Sequence, residues 1–318
     1  MNTREYAAAW LLLALCAVPA RAAESSAAQF LKLGFGGRAL GMGEAYVAVA
    51  DDAAAVYYNP AGLAPAARGA AADPGAGRQA AFSHSWHIQD MGISQAAFLA
   101  RPWGAALTYF SAGELEGRTA AGDPAGNFTA SDIALSAGYG ISRGGLRAGA
   151  AVKYIGQKIK DKSAGAFAAD IGVLYSLEAA PLTFGVSAAN LGTKVRFEEE
   201  SFPLPLVLRA GAAMRLAAGT LLAVQADLPN DAGTALRLGA EYCPAAALRL
   251  RLGYKTSSSS DRDALLGREL GGTGSGLAGL YGLFAGLGLV YGEFRLDYAL
   301  TPYGELGNAH RFSFAFKY

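Results

Sequence analysis

Charge is scarce in this sequence. Asp, Glu, Lys and Arg make up 17% of its 318 residues, where soluble domains carry about 25%. Its 27 basic and 26 acidic residues leave a net charge of +1. No strong field therefore favours nucleic acid or an anionic surface, and no basic block stands out. Cysteine is almost missing. Cys16 lies in a stretch expected to be removed, which leaves Cys243 alone and excludes a disulfide framework. No zinc-type Cys/His spacing, Walker-type phosphate loop, catalytic carboxylate pair or Ser/His/Asp set occurs, so the expectation is no metal, no cofactor and no enzyme. His84 and His87 are three apart on a predicted strand, which sends them to opposite faces rather than to one metal. Long apolar runs are missing too. Hydrophobic residues reach 52%, yet no run attains the roughly 18 residues that a transmembrane helix needs. Such a chain must hide its apolar residues in a pattern, and period two is one pattern that can.

What is present begins with an export signal. Arg4 stands in a short n-region, Trp10 to Val18 form an apolar h-region, and Ala20-Arg21-Ala22 supplies a small-x-small cleavage site. Residues 1–22 are expected to be a signal peptide. Leu15 before Cys16 is too large for lipoprotein processing.

From about residue 79 the chain alternates. Leu248, Leu250, Leu252 and Tyr254 interleave with Arg249, Arg251, Gly253 and Lys255, and Leu146, Ala148, Ala150 and Val152 with Arg147, Gly149, Ala151 and Lys153. A strand sends successive side chains to opposite faces, so each segment has one oily and one polar face. About 14 such segments are predicted, good to a few residues at each end. They centre near 79–88, 91–100, 103–112, 130–140, 145–157, 166–176, 180–190, 205–216, 219–228, 234–243, 246–256, 277–288, 290–301 and 309–318. Tight connections such as Arg101-Pro102, 142–144 and 217–218 alternate with long ones at 113–129, 158–165, 191–204 and 257–276. Short periplasmic turns and longer outer loops mark outer-membrane barrels. The predicted fold is an all-β, transmembrane, antiparallel up-and-down barrel over 66–318, oily face to lipid. Tyr139, Tyr154, Tyr175, Tyr242, Tyr254 and Tyr318 suit its interfacial girdle. A soluble sandwich also alternates faces, but has little reason to sort loop lengths by end.

The last segment is the sharpest. Phe312, Phe314, Phe316 and Tyr318 occupy every second position up to the final residue. That ending resembles the β-signal read by the outer-membrane barrel insertion machinery. In the lumen, Arg147, Arg209, Arg237, Arg249 and Arg251 form a basic set. They either meet an acid headgroup or pair Asp227, Glu241, Glu293 and Asp297 along the wall.

Residues 23–65 do not alternate. Gly34, Gly36, Gly41 and Gly43 imply sharp turns or close approach of chain to chain, Asp51-Asp52 and Asn59-Pro60 are turn or cap signals, and Arg38 stands among them. The string FLKLGFGGRALGMGEAYVAVADD followed by YYNPAGL resembles the N-terminal signature of the PorV/PorQ family of outer-membrane proteins, itself similar to FadL-type transporters. The resemblance continues through VKYIGQKI, NLGTKVRFEEESFPLPLVLRAGAA and LDYALTPYGELGNAHRFSFAFKY. It implies a 14-stranded barrel in the outer membrane, with the N-terminal segment folded inward as a hatch that includes Asn59, Pro60 and Ala61. It also implies a role in type IX-like protein secretion, with a translocon or secreted cargo as partners at the long outer loops. The alternative it implies is FadL-like passive transport of a hydrophobic small molecule.

Overall fold

An open sheet in hydrocarbon leaves edge N–H and C=O groups unpaired, and closure removes the edge. The computed structural model describes residues 26–65, 77–86, 91–177, 179–256, 282–302 and 308–318. Its strands are β1 (Arg78–Trp86), β2 (Gly92–Ala100), β3 (Trp103–Arg118), β4 (Pro124–Arg143), β5 (Leu146–Ile159), β6 (Lys162–Ser176), β7 (Leu182–Gly192), β8 (Val195–Phe197), β9 (Glu200–Phe202), β10 (Val207–Leu216), β11 (Thr220–Pro229), β12 (Ala235–Ala245), β13 (Leu248–Lys255), β14 (Leu283–Tyr291), β15 (Phe294–Pro302) and β16 (Asn308–Lys317). Fourteen of them form a closed antiparallel barrel in which each pairs with its neighbour along the chain. β7 pairs β10 past the separate β8–β9 hairpin, and β1 closes on β16 from Gln79↔Lys317 to Trp86↔His310.

The two faces divide as the alternation requires. Phe82, Val152, Phe167, Leu236, Leu252 and Phe314 stand exposed on the outside, while Gln79, Gln95, Asp170, Gln225 and Asp297 on the barrel strands are buried inside. The six expected girdle tyrosines are all on the exposed face. Phe312, Phe314 and Tyr318 face outward as well, and Phe316 stacks on Phe294 with ring centroids 4.9 Å apart.

Three boundaries differ from expectation. β3 and β4 run on as a two-stranded ribbon, Glu114↔Thr129 to Arg118↔Pro124, where a loop over 113–129 was expected. β5 and β6 likewise extend through 158–165 and turn at Lys160-Asp161. The strand expected at 277–288 is β14, Leu283–Tyr291. Residues 1–22, all of 257–276, the start of 277–290 and His87 lie outside the described residues.

Residues 26–65 fold as short pieces: 3-10 turns at Gln29–Lys32 and Pro60–Leu63, and helices α1 (Gly37–Gly41) and α2 (Ala55–Tyr58). They lack alternation because every side is covered. Met42, Tyr46, Ala50, Ala55, Asn59 and Leu63 have no exposed surface, and their bonds reach inward-facing residues from β1 round to β16.

Candidate functional site

The barrel interior is a charged wall bonded to this N-terminal segment. Gly36 (φ +77°) precedes α1, whose first N–H, from Gly37, donates to the Ser313 hydroxyl on β16 at 2.6 Å. Arg38 on α1 then forks. Its Nε and Nη2 donate to Glu241 on β12 at 3.0 and 3.1 Å, and its Nη1 to Asp51 at 2.6 Å and to the Tyr46 hydroxyl at 2.9 Å. Tyr46 and Arg295 both donate to Asp52 at 2.9 Å. Arg215 meets Asp51 at 2.6 Å, Arg251 meets Glu241 at 2.7 Å, and Arg295 meets Asp297 at 2.8 Å. Arg251 lies 2.8 Å from Asp297 as an ion pair without hydrogen-bond geometry. Four arginines thus balance four carboxylates, which is how buried charge avoids the full desolvation cost. Burial pushes the Asp51 carboxyl up, but Arg38 and Arg215 outweigh it and hold it well below the ordinary carboxylate range. Asp52 is lowered against burial in the same way, by Arg295 and Arg38.

Further attachments fix the middle of the segment. Gln225 on β11 accepts from the Tyr46 and Val47 N–H groups at 2.9 and 2.8 Å. Beside it Arg237 bridges Asp227 and Glu44, each at 2.5 Å, and donates to the Gly43 carbonyl at 3.0 Å. Asn59 caps the turn Pro60–Leu63 by accepting from the Ala61 N–H at 3.1 Å, and its amide donates to the carbonyls of Val47 at 2.8 Å and Val173 at 3.2 Å. Gly172 on β6 makes that possible, since a Cβ there would overlap Asn59 Oδ1, and Gly149 on β5 gives way to Pro60. Gly41 and Gly43 play the same part from the other side, against Gly286 and Gly253. Arg101, at the turn between β2 and β3, donates to the Asp51 carbonyl at 2.7 Å and the Ala64 carbonyl at 2.8 Å.

The other end lies at the long-loop rim. Ser26, Gln29 and Lys32 converge on Asp231 beyond β11, with Gln29 and Lys32 both at 2.9 Å from its Oδ2. Burial raises the Asp231 carboxyl, and bonds from Ser26, Gln29 and Lys32 overcome it and lower the pKa. Phe30 and Leu31 pack there with Ile155, Val195 and Leu204 in a small apolar cluster.

The expected basic set therefore divides. Arg237 and Arg251 pair wall carboxylates, as the second of the two readings required. Arg249 curls over its own turn, donating to the Ala245, Ala246 and Leu248 carbonyls, and does not point into the lumen. Arg147 is in electrostatic reach of Arg101, Asp51 and Arg215, and Arg209 is buried near Asp227 and Tyr57, its Nη1 donating to no described residue. Gln225, Arg215, Arg295 and Ser313 were missed. Their one signal was inward parity, a polar side chain on the face opposite the oily row.

No family model matches the chain, and no curated protein does. Solved structures do. A mutant of the TodX monoaromatic hydrocarbon channel matches with a TM-score of 0.58 at 14% identity, over 90% of this chain and 99% of that one. The Pseudomonas putida toluene transporter TodX matches at 0.55 and 13%, over 89% and 96%. A Pseudomonas aeruginosa FadL homologue matches at 0.53 and 10%, over 94% and 99%. The chain shares their fold. With its apolar exterior, that fold is a barrel of the bacterial outer membrane.

Proposed function

We propose that the chain is a passive outer-membrane channel for a hydrophobic small molecule, closed here by residues 26–65 acting as its hatch. The carrying observation is the uneven attachment of that segment. Toward the short-turn rim it is held by the balanced arginine–carboxylate cluster and by Asn59 seated on Gly172. At the long-loop rim it is held by one aspartate, partly exposed Lys32 and the apolar cluster around Phe30 and Leu31. A hydrophobic compound arriving there competes with Phe30 and Leu31 for the same apolar side chains, so the outer end releases first. The pairing of Arg237 and Arg251 within the wall favours an apolar cargo over an acid. The shared fold with hydrocarbon and toluene channels supports the same reading.

The test is a reversible lock. Ser26→Cys with Asp231→Cys, in a Cys243→Ser background, bridges the outer end. Uptake of labelled toluene and of a longer alkane into proteoliposomes should fall on oxidation and recover on reduction. Uptake no faster than in empty vesicles sinks the channel reading.

A second reading, service in protein secretion, draws on the β3–β4 ribbon, which stands past the last β2–β3 pair at Gly92↔Ser111 with nearly all of its residues exposed. A large membrane partner or secreted cargo that co-purifies with the whole chain, and is lost when 113–129 are excised, would favour it.

A further inference from the structure

The outer wall is not smooth. From β7 across β10 to β14 it carries an apolar groove of about 570 Å³, within the roughly 300–1,000 Å³ of sites that hold small ligands. The groove exists because Ala212 and Ala240 face outward where their paired neighbours are Val224 and Leu222. Behind it the wall is a single backbone layer. Gly239 and Gly253 border the groove on the outside and on the inside meet Met42 and Gly43 with no side chain between.

We propose that this groove binds one acyl chain of an outer-membrane phospholipid. Three observations choose that occupant. Among the described residues the lining is apolar and mostly outward-facing, and its one polar side chain is Tyr254. The groove runs from Leu182, just past a short turn, to Leu283, where β14 enters from the long-loop side, so it slants through the hydrocarbon layer. Tyr254 stands toward the long-loop end, where a phenol sits at the headgroup level. A lipid tail is apolar, extended and runs that way. A polar ligand would find one hydroxyl. This site is separate from the proposed channel, and its success or failure leaves that reading untouched.

The experiment is native mass spectrometry of the full chain released from phosphatidylethanolamine/phosphatidylglycerol nanodiscs. Wild type should retain one phospholipid at collision energies that strip the rest. Ala212→Phe with Ala240→Phe fills the groove and should cut retention about tenfold, the loss expected when roughly two methylenes are no longer buried. Ala137→Phe, outward on β4 across the barrel, should retain the lipid. Equal retention in the filled variant, a bare wild type, or a second copy of the chain held in place of lipid would each overturn the proposal. Should the filled variant fail to fold, a phospholipid with a diazirine in its acyl chain gives the answer on wild type. Photolabelling should concentrate on β10 to β13 over β3 to β5, and uniform labelling overturns the site.

Discussion

The Asn59 side chain bonds Ala61, Val47, Val173 and Val186, and the residue that makes room for it has no side chain at all. Gly172→Val would drive a branched side chain into Asn59 Oδ1 and Pro60. Overpacking of this kind costs about 1–3 kcal/mol, and here it falls on the seat of the N-terminal segment rather than on the β6 pairing. Cleavage of that segment by an added protease should quicken while the barrel keeps its heat-sensitive gel migration. Unchanged cleavage would show that Asn59 does not anchor it. Arg38 is the harsher case. Arg38→Met leaves Glu241, Asp51 and Asp52 without their shared cation, and stranding buried charge costs about 3–5 kcal/mol. Denaturant unfolding in detergent should show it, with Arg38→Lys recovering only part, because one ammonium cannot hold Glu241 by two bonds and reach Asp51 as well. Asn59 and Arg38 were legible in the sequence as special positions. Gly172 was not, because a glycine carries no mark of what covers it.

At the level of elements, every barrel strand was legible and the β3–β4 ribbon was not. The reason is physical. Alternation is imposed by lipid on one side and a packed interior on the other, and the ribbon over 113–129 has neither. Apart from the paired Leu115 and Phe128 its residues are small or polar on both faces, so it reads as loop while pairing as strand. The β8–β9 hairpin, three residues a side, is too short to show a period. The attachments of residues 26–65 were illegible for a different reason, since each joins positions far apart in the chain, as Arg38 with Glu241 or Lys32 with Asp231. Because the ribbon's strands pair only with each other, excising 113–129 and closing β3 to β4 with a tight turn should leave the barrel's gel migration and thermal midpoint unchanged. A shortened chain that fails to close would mean the ribbon takes part in assembly.

For the molecule as a whole, the barrel and its N-terminal segment are held by different forces and should part company in acid. The barrel rests chiefly on backbone pairs that no proton disturbs, with wall ion pairs such as Arg237 with Asp227 beside them. The segment rests on carboxylates. Asp51 and Asp52 have pKa values lowered below their unfolded value, so their contribution is complete above that value, about 3.9, and is lost as pH falls below it toward the depressed folded pKa. Asp52, about nine-tenths covered, is little screened by solvent, while Asp51 keeps about a third of its side chain exposed, so Asp52 should dominate. The groups facing the pair are Arg38, Arg215, Arg295 and Tyr46. Protonation leaves four guanidinium groups facing only Glu241 and Asp297, and the excess positive charge acts to push α1 away from β12 and β15. Conductance of the chain in a planar bilayer should therefore rise below about pH 4 and return on neutralisation, with the barrel's circular dichroism unchanged. Asp52→Asn should shift that rise to higher pH or leave the conductance raised at neutral pH. A conductance flat down to the pH at which the sheet itself unfolds would show that packing around Tyr46 and Leu63, rather than charge, holds the proposed hatch in place.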